Sequence, residues 1–120
     1  MKIGNISNNT SFRNIYGVVG NKKDMTKLRL LVADAKKTTD NPAMVYNVTE
    51  QPNIQTSFND LGNRQFFMVV TGEDSLKTTN NLAGTKLSSF LIDTADKIIN
   101  IGSNVVDDAK EILESIKHNK

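Results

Sequence analysis

The run Phe66-Phe67-Met68-Val69-Val70 limits what this chain can fold into more than any other stretch. A strand with one wet face alternates apolar and polar side chains, whereas a run that is apolar at every position has no face to offer to water. Residues 65–71 are therefore predicted to form a central strand covered on both faces. The segment before it, Asn59-Asp60-Leu61-Gly62-Asn63, reads as a turn, because Gly and Asn tolerate the positive φ that tight turns require.

The remaining strands read more weakly. From Ser11 to Val19, Phe12, Asn14, Tyr16 and Val18 alternate with Arg13, Ile15, Gly17 and Val19, which suits a strand partly covered on both faces. Met44 to Thr49 places Met44, Tyr46 and Val48 on one face, and after Pro52 the residues Ile54, Thr56 and Phe58 alternate again. Between the first two strands, Asp24 reads as the N-cap of a helix with the apolar stripe Met25, Leu28, Leu31, Val32 and Ala35. Pro42 ends that helix by disfavouring helical geometry at Asn41. Residues 1–10 set Ile3 and Ile6 among Asn, Ser and Gly and read as a flexible leader, while residues 72–84 are polar and read as a loop.

From Thr85 to Lys117 the periodicity is helical. Leu91, Ala95, Ile98, Gly102, Val105, Ala109 and Ile112 alternate four and three apart, the spacing of a coiled-coil seam with one bulky and one small column. Ile92, Ile99, Val106 and Leu113 widen the apolar face. A continuous helix of this length would measure roughly 48 Å, against a diameter of roughly 35 Å for a compact domain of this size. Either the helix breaks, with Gly102-Ser103-Asn104 the natural place, or its apolar end meets another chain. The expected fold is an α+β two-layer sandwich. A small, mostly antiparallel sheet of three to four strands is packed by one medium helix and one long C-terminal helix over 85–117, in a single domain spanning 11–120.

Composition narrows the chemistry. Leu, Ile, Val and Phe number 33 of 120 residues, above the roughly 20% below which chains tend to stay disordered. There is no cysteine and no tryptophan, and the single histidine is His118. Zinc sites of the Cys/His type are thereby excluded, and nucleophilic pairs built on imidazole lose their partner. No catalytic residue, metal or cofactor is expected. The 15 asparagines and frequent lysines suggest an AT-rich bacterial or phage genome. No apolar signal follows Met1 and no stretch approaches the roughly 20 apolar residues of a membrane span, so a cytoplasmic setting is the expectation.

Three local features invite a functional reading. Gly17-Val18-Val19-Gly20-Asn21-Lys22-Lys23-Asp24 sits between a strand and a helix, but its glycine spacing fits neither the P-loop nor the dinucleotide pattern. Neighbours in the pairs Glu73-Asp74 and Asp107-Asp108 diverge on a regular element and do not form a carboxylate dyad. Net charge is only +2, yet Lys22, Lys23, Lys27, Arg29, Lys36 and Lys37 concentrate basic charge around the first helix. The leading expectation is a non-enzymatic protein acting through protein–protein contact or self-association, with the seam from Leu91 to Ile112 as its interface. The alternative is a nucleic-acid-associated accessory protein that uses the basic surface.

Overall fold

A computed structural model describes residues 14–50 and 63–118. The expected leader at 1–10, the alternation at Ile54, Thr56 and Phe58, and most of the turn at 59–63 lie outside these residues. β1 (Ile15–Asn21) runs into α1 (Lys22–Lys37), followed by β2 (Ala43–Asn47) and a short 3-10 turn (Val48–Glu50). β3 (Arg64–Thr71), α2 (Glu73–Asn80), α3 (Gly84–Thr94), β4 (Lys97–Ile101), α4 (Val105–Asp108) and α5 (Lys110–His118) complete the order. The four strands form one mixed sheet in the order β2-β3-β1-β4, in which β3 is antiparallel to both neighbours and β4 lies parallel to β1.

The fold is α+β, and β3 is its centre. Phe66 to Val70 are all buried, and their alternation divides them between two cores. Phe67 and Val69 join Tyr16 and Val18 under α1, α4 and α5, against Met25, Leu28, Val105, Ile112 and Ile116. Phe66, Met68 and Val70 join Ile15 and Val19 under α2 and α3, against Leu76, Leu87 and Leu91. The sandwich thus carries a third layer: helices cover both faces of the sheet, as the apolar run of β3 demands.

Two segments depart from the sequence-based expectation. Residues 72–84 are not a loop, because Glu73–Asn80 is helical. Its Ser, Thr and Asn content disfavours a helix, but Gly72 at φ 91° turns the chain back from β3 and half-buried Leu76 packs into the second core. The long C-terminal helix is also absent. Lys97-Ile98-Ile99-Asn100-Ile101 is a strand, and regular structure stops again at Gly102–Asn104. β-Branched residues suit a pleated surface, and the edge of β1 offers them a ladder. Asp96 pins the junction: its amide donates to the Ile15 carbonyl at 2.8 Å, and its carboxylate accepts from the amides of Asn14 and Ile15 at 3.2 and 3.0 Å.

The start of α1 differs by one turn from expectation. Asn21 is the N-cap, its side-chain oxygen accepting from the Asp24 amide at 2.8 Å. Asp24 instead sits inside the first turn, where its charge favours the helix dipole.

Candidate functional site

The seam from Leu91 to Ile112 does not exist as one surface. Leu91 is fully buried in the core under α3, and Ala95 packs against that same core. Val105, Ala109 and Ile112 are buried in the opposite core. Between the two groups, Ile98 stands 53% exposed on β4, and the Gly102 amide donates to the Asp108 carboxylate at 2.8 Å. The intervening strand puts the two halves of the heptad on opposite sides of the sheet, so most of its residues stabilise the fold and cannot meet a partner.

All six basic residues of the first helix are exposed, but helix geometry sorts them into two stripes. At 100° per residue, Lys22, Arg29 and Lys36 fall on one flank and Lys23, Lys27 and Lys37 on the outermost face. The flank is engaged with the fold. The Lys36 ammonium donates to the Ala43 carbonyl at 2.9 Å, and the Arg29 guanidinium stacks 5.4 Å from the centre of the buried Phe67 ring. On the outer face Lys37 faces Asp34 at 3.8 Å. No exposed aromatic interleaves with these cations on α1, so nothing here resembles a base-stacking platform.

Leu30 breaks this charged stripe. Lys23, Lys27, Leu30, Asp34 and Lys37 recur three and four apart, and Leu30 is 62% exposed in their midst. Across a shallow groove of ≈ 330 Å³ stands Val106, 60% exposed on α4, with Leu31 and Val105 also lining it. Single exposed aliphatics are ordinary, but two facing one another over a continuous apolar groove form a patch. The one-turn α4 is held by Asn104, whose side chain accepts from the Asp107 amide at 3.4 Å and donates to its carboxylate at 2.8 Å. Asp107 itself lines the neighbouring groove between β4 and the α4–α5 segment, so the charge lining the α1–α4 groove is the ammonium of Lys27.

Sequence reasoning missed Leu30, although a signal was present: it lies off the apolar stripe of its own helix. The heptad spacing places Val106 on the apolar face of one long helix, whereas it stands on the separate one-turn α4. Among the described residues no group of three His, Asp or Glu side chains is placed to hold a metal ion. No described helix is long and apolar enough to cross a membrane. The chain matches no protein-family model, no curated protein and no solved structure.

Proposed function

We propose that this is a non-enzymatic protein-interaction module whose binding surface is the groove between α1 and α4. The observation that carries the reading is the facing pair Leu30 and Val106, both more than half exposed over an apolar floor. Burying them supplies a small hydrophobic centre, and the flanking charges set orientation and partner choice. The partner that fits presents an aliphatic side chain flanked by carboxylates. A second copy meets that description through its own Leu30 and Asp34, one turn apart on the outer face of α1, and its lysines would in turn meet the first copy's acid, as an isologous pair requires. A cysteine-free chain rich in Asn and Lys supports a cytoplasmic setting in a bacterium or phage.

Sedimentation of the full chain from micromolar to millimolar concentration tests self-association. The mass should rise with concentration, and both Leu30→Asp and Val106→Asp should hold the chain at monomer mass with unchanged circular dichroism. A constant monomer mass for the parent chain removes the second-copy partner. Saturable nucleic-acid binding that weakens steeply with salt and is lost on replacing Lys23 and Lys27 by Glu would favour the basic surface instead.

A further inference from the structure

A second surface, separate from the α1–α4 groove, lies along β4, the outermost of the described strands on its side of the sheet. β4 ends the strand order, and no described strand pairs with its outer side. The direction of its backbone groups follows from the ladder. The Asn14 carbonyl accepts from the Thr71 amide at 2.7 Å, so even-numbered residues of β1 address β3 and odd-numbered ones address β4. In a parallel ladder each bonding residue reaches the two neighbours of its opposite number. Gly17, opposite Ile98, therefore bonds to Lys97 and Ile99. The N–H and C=O groups of Ile98 and Asn100 point away from the sheet.

These groups open onto a groove of ≈ 630 Å³ between β4 and the α4–α5 segment. One wall is the strand, with Ile98 53% exposed. The other carries Asp107, Asp108, Glu111 and Glu114 with Lys110, and Lys97 of the strand faces them, which leaves the groove net negative. Lys97 and Glu111 pair at 2.7 Å across its floor.

We propose that this groove binds an extended basic peptide by strand addition to β4. Backbone bonds to Ile98 and Asn100 would hold the chain, and side chains would alternate between two environments. Those on the α4–α5 side meet carboxylates and are basic; those on the other side pack on Ile98 and are apolar. A second copy fits less well, because docking edge to edge would bring two net negative α4–α5 walls together.

The test is titration of the isotope-labelled full chain with a heptapeptide alternating arginine and valine, followed by NMR. Saturable binding is expected, with amide shifts confined to 97–101 and 107–114. Replacing arginine by glutamate in the peptide should abolish it. Methylating alternate peptide amides should abolish it in one phase and spare it in the other, as pairing with a strand requires. Asp107→Lys with Glu114→Lys should weaken it at least tenfold. Failure to saturate, shifts centred on α1, equal affinity for both methylated phases, or an unchanged affinity after charge reversal would each overturn the proposal.

Discussion

Phe66 and Phe67 are adjacent in sequence, yet they report on opposite sides of the molecule. Phe67 is 2% exposed beneath α1, and Phe66 is 6% exposed beneath the α2–α3 side. Truncating a buried Phe to Ala typically costs about 3–5 kcal/mol, because transfer free energy is lost and a cavity remains. Phe67→Ala also removes the ring beneath Arg29, a contact worth about 0.5–1 kcal/mol at an exposed cation. An unfolding entropy of about 2.1 cal/mol/K per residue gives roughly 250 cal/mol/K over 120 residues. The main term alone then lowers Tm by about 12–20 °C. A sheet with helices on one face would behave differently: one ring would be wet, and its removal would cost roughly 0.5 kcal/mol or less. Both variants should therefore be strongly destabilised, Phe67→Ala somewhat more. The chain lacks tryptophan, so urea unfolding followed by far-ultraviolet circular dichroism is the assay. A loss below about 1 kcal/mol in either variant would refute the burial of that face.

Two smaller perturbations test the junctions. Asp96→Ala removes the acceptor for the Asn14 and Ile15 amides and should cost about 1.5 kcal/mol, with Asp96→Asn costing less. Faster hydrogen exchange at Ile15 is the local readout, and unchanged exchange would disconnect Asp96 from the β1–β4 joint. Asn21→Ala deletes the cap of α1 and should cost about 1 kcal/mol, while Asn21→Ser should restore most of it; equal stability of both variants would argue against the capping bond.

How far the sequence could be read depended on whether the signal was local. The burial of β3 on both faces followed from five consecutive apolar side chains, and the stripe of α1 followed from its 3.6-residue period. The C-terminal third misled because its apolar residues happen to keep heptad spacing through four different elements. Leu91, Ile98 and Val105 are seven apart, yet they sit on a helix over one face, on an edge strand, and on a helix over the other. α2 was hidden for the opposite reason: its polar residues carry little helical preference of their own.

The exposed pair at the candidate site was half legible. Leu30 already stood out as an aliphatic among lysines. Its facing Val106 came into place only when β4 returned the chain to the α1 side of the sheet. By itself, then, the sequence determined that a central strand must be covered twice, that the first helix has one buried face, and that Cys/His zinc chemistry is excluded. These depend on side-chain volume, polarity and identity within a single turn or strand. Only the tertiary structure decided that residues 97–101 are a strand, since isoleucine-rich segments satisfy either a helix or a ladder. The choice fell to the open edge of β1, to which Asp96 fastens the strand through the amides of Asn14 and Ile15, about eighty residues away in the chain.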